Sequence, residues 1–236
     1  FHSIFLRILR TEHERIGFSA NFTIYDAADS KSLLKAIIKE MKLDDKKYKP
    51  SNVMGIISNA KNQLVTAEQY ADNHSIRQSN ARDGLPAMHL VFSAYARRCR
   101  QSDAMDFDDI LLYTYLLFKQ NPDVLERWAD HFKYVLVDEY QDTNFAQHQI
   151  VWQLTSGHQR VCVVGDDAQS IYSFRGANID NILTFCKIYQ DAKLFKLEQN
   201  YRSTAHILNA ANSVIENNDE RLDKVLYSNK GEGEKL

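Results

Sequence analysis

The sequence predicts an α/β protein in which a parallel sheet is joined to an all-helical segment. Three short apolar runs, at 134–137, 161–164 and 194–197, are separated by helical patterns at 144–155 and 178–189. Short apolar strands that alternate with helices are typical of a parallel sheet covered by helices on both faces. Because the 236 residues contain only 3 prolines and 8 glycines, we expect long helices elsewhere.

The stretch from about 20 to 104 contains no convincing strand and is expected to form a helical subdomain. Ser30 is the expected N-cap of its first helix. Apolar residues then recur at helical spacing: Leu33, Leu34, Ile37, Ile38 and Met41. Pro50 and Pro86 each suit the first turn of a further helix. Outside this stretch, helices are also expected at about 2–10 and 204–217.

Composition excludes several classes of protein. A formal net charge of −2 gives no global basic field, so any nucleic-acid site must be local. No apolar run approaches the ~20 residues that span a bilayer and no basic-then-apolar leader pattern appears, so no membrane partner is expected. Cys99, Cys162 and Cys186 lack metal-ligand spacing, which predicts reduced, mostly buried thiols in a cytoplasmic protein. The start at Phe1 rather than Met suggests a fragment.

The first chemical motif is Val-Leu-Val-Asp-Glu-Tyr-Gln-Asp, residues 135–142. An apolar strand delivers Asp138 and Glu139 to its carboxyl end, where open α/β sheets bind ligands. Adjacent carboxylates there suit nucleotide hydrolysis, with Asp138 holding Mg²⁺ and Glu139 polarising the attacking water. The alternative is a solvated acidic turn. The polar residues Gln141, Asp142 and Thr143 that follow favour the hydrolytic interpretation.

The second motif, residues 161–177, is a strand followed by an acidic, glycine-containing loop. Polar Gln169, then Tyr172, Phe174 and Arg175, follow within seven residues. Aromatic rings beside an arginine can stack unpaired bases, and each stack is worth ~1–3 kcal/mol. The alternative places the two rings in the core. Their i, i+2 spacing outside a regular strand disfavours this alternative, but leaves it open for one of the two.

The third motif is Leu-Glu-Gln-Asn-Tyr-Arg-Ser-Thr, residues 197–204. Its leucine ends the third apolar run, and Ser203 or Thr204 is expected to cap the following helix. Tyr201 and Arg202 are therefore expected at a strand-to-helix junction, exposed to a cleft. From there Arg202 could reach a γ-phosphate, as arginine fingers do. This motif is weak evidence by itself.

In this order and spacing the three motifs resemble motifs II, III and IV of the UvrD/PcrA/Rep family of superfamily 1 DNA helicases. Residues 1–3 resemble the end of the family's Thr-Phe-His-Ser segment, and 57–64 resemble part of its helical 1B insert. Residues 106–109 resemble its Asp-Phe-Asp-Asp helix start, to which we assign a structural role because Asp106 can cap the helix. The resemblance covers essentially the whole chain.

The resemblance implies an incomplete RecA-like (P-loop NTPase) parallel-sheet domain with an all-helical 1B subdomain. Residues 1–19 would belong to domain 1A, 20–104 to 1B, 105–197 to the remainder of 1A and 198–236 to the start of 2A. A phosphate-binding loop needs Gly-x-x-x-x-Gly-Lys-Ser/Thr, and none of the 8 glycines precedes a lysine. We therefore expect missing N-terminal 1A and C-terminal 2A/2B segments of the same protein, and weak ATP binding without turnover by this chain alone.

The resemblance also implies roles at a site for ATP and Mg²⁺. Asp138 would bind Mg²⁺ and Glu139 would activate water. Tyr201 would pack near the adenine, and Arg202 would contact the γ-phosphate.

Other implied roles concern coupling to DNA. Gln169 and Arg175 would sense the γ-phosphate and couple it to DNA. Tyr172 and Phe174 would stack bases, and His2 would lie at the strand-binding groove. The family usually has tryptophan where Phe174 stands, so stacking would use a smaller ring.

The function that we expect is that of an ATP-dependent DNA helicase that acts on single-stranded and duplex DNA in repair or replication. One alternative is a non-catalytic nucleic-acid-binding module related to such a motor. Another is the helicase segment of an AddA/RecB-like helicase-nuclease, although the compact 1B insert favours the simpler family.

Overall fold

The computed structural model describes residues 1–170, 176–218 and 221–235. In these residues, helices alternate with four short strands that pair two by two into small parallel sheets. The predicted mixture of helices and parallel strands is therefore confirmed. The strands are β1 (Thr23–Tyr25), β2 (Ala104–Asp106), β3 (Val135–Val137) and β4 (Val161–Val163). The helices are α1 (His2–Thr11), α2 (His13–Ile16), α3 (Ala27–Glu40), α4 (Pro50–Asn62), α5 (Ala67–Asp72), α6 (His74–Arg82), α7 (Met88–Gln101), α8 (Phe107–Gln120), α9 (Pro122–His131), α10 (Phe145–Thr155), α11 (Asp180–Leu183), α12 (Phe185–Ile188) and α13 (Ala205–Ile215).

The chain divides into two compact units. The first consists of Phe1–Val135 and Asn144–Val161. The second consists of Leu136–Thr143 and Cys162–Leu236. The first unit contains α1 to α10 and the β1–β2 sheet, and the second contains the loops that follow β3 and β4 together with α11 to α13.

The β1–β2 sheet lies where no strand was expected. Thr23 pairs with Ala104 and Tyr25 with Asp106, in parallel. A three-residue run is too short to show a period, and its partner lies far along the chain, so no sequence pattern indicates the pairing. The prediction that residues 20–104 are free of strands is therefore wrong at both ends of the stretch.

Aspartates that follow these two strands begin the next helices. Asp26 caps α3 by accepting hydrogen bonds from the N–H groups of Ala28 and Asp29. Asp106 caps α8 in the same way, which confirms its predicted capping role. The prediction that Ser30 caps the first helix is wrong, because α3 begins at Ala27 and Ser30 is buried within it.

The first unit contains two apolar cores. One is formed chiefly by α1, α8, α9 and α10, with Ile8 and Leu117 among its fully buried residues. The other is formed by α3, α4, α5 and α7, with Leu34, Val53 and Val91 at its centre. The predicted helical segment therefore encloses a core of its own, built from the residues that recur at helical spacing.

The third expected strand, 194–197, is absent from the described structure. Leu197 is 82% exposed, and backbone pairing begins only after it. The Tyr227 N–H donates to the Glu198 carbonyl at 3.0 Å, and the Asn200 N–H donates to the Tyr227 carbonyl at 2.7 Å. A strand needs a neighbouring strand to hydrogen-bond with, and here the segment around Tyr227 pairs with residues that follow the apolar run.

Smaller differences concern helix ends and cysteines. The expected helix at 178–189 is broken into α11 and α12. Pro122 opens α9, a helix that was not expected. Cys99 is buried whereas Cys162 and Cys186 are exposed, so the prediction of mostly buried thiols is wrong.

Lys61 of α4 forms a buried ion-pair cluster with the start of α8. Its Nζ lies 2.6 Å from Asp106 Oδ2 and 2.7 Å from Asp109 Oδ1, and its side chain is only 2% exposed. Burial alone would lower the pKa of Lys61, but the two carboxylates raise it. Burial and the nearby Asp106 charge raise the pKa of Asp109 to about 7. The hydroxyl of Tyr95 also donates to Asp106 Oδ2 at 2.9 Å.

Lys61→Met is expected to destabilise the chain by about 3–5 kcal/mol at neutral pH, because it leaves buried carboxylates without their cation. Lys61 lowers the pKa of both Asp106 and Asp109 in the folded state. Its removal raises both values, so stability is retained while the carboxylates are protonated and is lost as pH rises from about 4 to about 8. Urea unfolding across this pH range measures the effect.

Lys35→Met is the matched control, because Lys35 lies on the exposed face of α3. Its effect should stay within about 0.5 kcal/mol at every pH. An equal loss for Lys61→Met at low and neutral pH would contradict the electrostatic explanation.

Candidate functional site

Two adjacent carboxylates stand at the carboxyl end of β3. Val137 is buried, and Asp138 and Glu139 that follow it are exposed. The Glu139 N–H donates to Asp138 Oδ1 at 2.9 Å. Glu139 has left-handed backbone angles, φ 51° and ψ 44°, and leads directly into the 3₁₀ turn Tyr140–Asp142. This conformation costs a non-glycine residue roughly 1–2 kcal/mol, and such strain concentrates at functional sites.

Gln141 connects these carboxylates to the loop that follows β4. Its side-chain nitrogen donates to Glu139 Oε2 at 2.7 Å, and its Oε1 accepts the Asp166 N–H at 3.0 Å. The backbone contributes a parallel link, because the Tyr140 N–H donates to the Val164 carbonyl at 2.9 Å. The first and second motifs are thereby fastened together. Sequence reasoning noted Gln141 but assigned it no role.

Gly165 makes this close approach possible. A Cβ atom on Gly165 would lie 2.6 Å from Gln141 Oε1 and 2.7 Å from Ile182 Cδ1. Both distances are shorter than any real carbon contact, so a larger residue would push the two loops apart. Close packing of the two loops therefore requires glycine at position 165.

The acidic loop after β4 holds Gln169 and a lysine from far along the chain. Gln169 Nε2 donates to Asp166 Oδ2 at 2.8 Å. Lys224 pairs with Asp166 and lies 2.8 Å from Oδ1 of the buried Asp167. Burial would raise the pKa of Asp166, but hydrogen bonds from Lys224 and Gln169 hold it below its usual range. Sequence reasoning missed Lys224, because it stands in a polar stretch without a motif.

The third motif forms an exposed junction. Tyr201 is 74% exposed, and its hydroxyl donates to Gln199 Oε1 at 3.0 Å. The exposed Arg202 is oriented through its backbone, because its N–H donates to Asn200 Oδ1 at 2.8 Å.

The start of α13 differs from the expected side-chain cap. Thr204 occupies the N-cap position, but its side chain makes no capping hydrogen bond. Instead, the Gly231 carbonyl accepts the Ala205 N–H at 3.0 Å, and the Glu232 carbonyl accepts the His206 N–H at 3.1 Å. The helix start is therefore satisfied by backbone that comes from later in the chain.

Among the predicted DNA-contacting residues, only His2 lies in the described part of the chain. It belongs to the first unit, where its Nε2 lies 3.2 Å from the Phe107 carbonyl and its ring is 5.8 Å from the Phe107 ring. Tyr172, Phe174 and Arg175 lie outside the described residues.

Asp138 suits Mg²⁺ held together with a nucleotide. The described residues form no group of three or more His, Cys, Asp or Glu side chains that could hold a metal ion. Mg²⁺ in nucleotide enzymes needs only one or two protein carboxylates, because phosphates and water complete its octahedron. An exposed carboxylate at the end of a parallel strand matches that requirement.

Within residues 1–170, 176–218 and 221–235, none of the helices has the length and apolar character that a membrane span requires.

Comparison with known proteins identifies the family. A family model described as the UvrD/REP helicase N-terminal domain matches residues 1–190. The chain belongs to the UvrD/REP helicase family. A second model, described as the UvrD-like helicase C-terminal domain, matches residues 195–236 of this UvrD/REP chain. The resemblance inferred from the three motifs is confirmed.

Individual relatives show how much of a UvrD/REP protein is present. A protein of Staphylococcus aureus named ATP-dependent DNA helicase PcrA is 46% identical over 240 residues, which cover 100% of this chain and 32% of the relative. Its namesake in Bacillus subtilis is 45% identical over 238 residues, which cover 100% of this chain and 31% of the relative. The chain therefore spans about a third of the length of these curated relatives.

Gly165→Ala is expected to destabilise the chain by about 1–3 kcal/mol, because the added methyl group collides with Gln141 and Ile182. Urea unfolding measures the loss. Gly55→Ala is the control, since nothing lies within 4 Å of a Cβ atom there. In the middle of α4 that change should stabilise by roughly 0.5–1 kcal/mol. A neutral Gly165→Ala would show that the two loops do not need this close approach.

Proposed function

We propose that the full-length protein is an ATP-dependent DNA helicase that translocates on single-stranded DNA and unwinds duplex DNA, in repair or replication. The observation that carries the proposal is the pair Asp138 and Glu139 at the end of β3, fastened through Gln141 to the loop after β4. Membership of the UvrD/REP helicase family supports it, as do relatives named ATP-dependent DNA helicase.

The architecture that goes with this function is a RecA-like domain 1A with a helical insert. We propose 1A at 1–19 and 105–197, 1B at 20–104 and the start of 2A at 198–236. The separate core of α3, α4, α5 and α7 supports an insert, and the parallel pairing of β3 with β4 supports a RecA-like sheet.

The hydrolytic step assigns a separate task to each group around ATP. Asp138 would hold Mg²⁺, which when bound neutralises phosphate charge. Glu139 would orient the attacking water and accept its proton. Arg202 would stabilise the charge that develops on the γ-phosphate, and Tyr201 would pack against the adenine. The side chains of Tyr201 and Arg202 are exposed and therefore accessible to a nucleotide.

Coupling to DNA is proposed for the second motif and the start of the chain. Gln169 and Arg175 would respond to the γ-phosphate. Tyr172 and Phe174 would stack bases, and His2 would line the groove for the strand. Because the net charge is −2, these local groups rather than a global field would hold DNA.

The 236-residue chain is proposed to be inactive by itself and to act in the cytoplasm as part of the longer protein. It contains no glycine followed by lysine, as a phosphate-binding loop requires. Its relatives are about three times as long, which is consistent with further 1A, 2A and 2B segments.

Glu139→Gln in the full-length protein should lower ATP hydrolysis by about 10²–10⁴-fold, because the amide keeps the shape but cannot accept the proton. Binding of ATP and of single-stranded DNA should persist. Phosphate release and nucleotide titration measure the two effects. Glu126→Gln, on the exposed surface of α9, should hydrolyse ATP at the wild-type rate. Undiminished hydrolysis in Glu139→Gln would remove this glutamate from the mechanism.

Phe174→Ala in the full-length protein should weaken binding of single-stranded DNA by about 1–3 kcal/mol if the ring stacks on a base. A core phenylalanine would instead lower the unfolding free energy by about 3–5 kcal/mol. A DNA titration and thermal melting of the same variant separate the two. Phe195→Ala, at an exposed phenylalanine, is the control for the loss of an aromatic surface. Unchanged DNA affinity with a large loss of stability would make Phe174 a packing residue.

A further inference from the structure

Gln141 has no reactive group, yet its side chain is buried whereas those of its acidic neighbours are exposed. It is 1% exposed, whereas Asp138, Glu139 and Asp142 around it are exposed. A buried amide must satisfy both a donor and an acceptor, and this one does so with two different loops.

The orientation of the amide is determined by its two partners. The carboxylate of Glu139 can only accept when ionised, and the Asp166 N–H can only donate. The Gln141 nitrogen must therefore face Glu139, at 2.7 Å, and its oxygen must face Asp166, at 3.0 Å. Reversing the amide would break both hydrogen bonds, so the arrangement has one stable form.

Glu139 depends on this contact for its orientation. Its side chain is exposed, and its own N–H is used by Asp138 Oδ1. An exposed glutamate has several rotamers, and one hydrogen bond of 2.7 Å from a buried donor restricts them. A general base must be held within hydrogen-bond reach of its water, and small misplacements are costly.

We propose that Gln141 is the positioning residue of the hydrolytic step: it orients the Glu139 carboxylate and fastens it to the Asp166 loop. This inference rests on the proposed function of Glu139. The same loop carries Gln169, whose side chain donates to Asp166 Oδ2 at 2.8 Å. A continuous set of hydrogen bonds therefore runs from Glu139 through Gln141 and Asp166 to Gln169, so a shift of the Asp166 loop is transmitted to the general base.

Two substitutions in the full-length protein separate positioning from packing. Gln141→Glu keeps the shape and an oxygen for the Asp166 N–H, but replaces the donor to Glu139 with a repelling oxygen. Its kcat for ATP, measured well below the melting temperature of each variant, should fall about 10- to 100-fold, as for other residues that orient a reacting group, with KM within about threefold. Because the new carboxylate is buried beside Glu139, the melting temperature should fall as well. Gln141→Met removes both hydrogen bonds, so kcat and the melting temperature should both fall.

Gln147→Glu is the matched control, because it adds the same charge six residues further along. Gln147 occupies the third position of α10 and accepts the Asn144 N–H at 2.9 Å, a bond that glutamate also makes. It should retain wild-type kcat. Steady-state hydrolysis with saturating single-stranded DNA, together with thermal melting, is measured for all variants.

Several outcomes would overturn the proposal. Wild-type kcat in Gln141→Glu would show that the donor is not needed. A raised KM with unchanged kcat would place the residue in nucleotide binding, and lowered stability with wild-type kcat in both Gln141 variants would make it a packing residue. If ATP hydrolysis is lost in Glu139→Gln but retained in Gln141→Glu, the positioning role of Gln141 is wrong and the hydrolytic role of Glu139 stands. If it is retained in both, the hydrolytic role of Glu139 fails.

Discussion

A single buried lysine joins the two apolar cores of the first unit. Lys61 belongs to α4, on the edge of the helical core, and its partners Asp106 and Asp109 begin α8, which lies in the other core. Next to it, Asn62 donates to Asp108 Oδ1 at 3.0 Å and accepts from the Asn144 side chain at 2.6 Å. Three helix starts or ends therefore depend on one polar cluster. Since an unpaired buried charge is far more costly than an unmade apolar contact, arrangements of these helices that separate Lys61 from its two carboxylates are disfavoured.

In the second unit, the close packing of two loops determines where the candidate site residues lie. The loops after β3 and β4 approach so closely that a Cβ atom on Gly165 would collide with Gln141. That approach lets one buried amide bond to both loops, while the flanking carboxylates remain exposed. The left-handed backbone of Glu139 lies at the residue to which we assign the general base. A buried supporting amide next to exposed carboxylates is the arrangement expected of the proposed hydrolytic site.

The differences from the sequence expectations have a common cause. The strand pairing of Thr23–Tyr25 with Ala104–Asp106, the bond from Asn200 to Tyr227, and the pairing of Lys224 with Asp166 all join segments far apart in the chain. A periodic pattern reports on neighbours three or four residues away and carries no information about such partners. The apolar run at 194–197 had the composition of a strand, but pairing was available only beyond it.

The sequence by itself determined the family, the order of the motifs, most helices and the helix cap at Asp106. These features are local, so a short window of residues contains their cause. Only the tertiary structure decided which side chains meet: Lys61 with two aspartates, and Gln141 with Glu139 and the Asp166 loop. The identity of Gln141 was visible in the sequence, but its role was not, because a role given by two partners on different loops exists only after those loops have packed together.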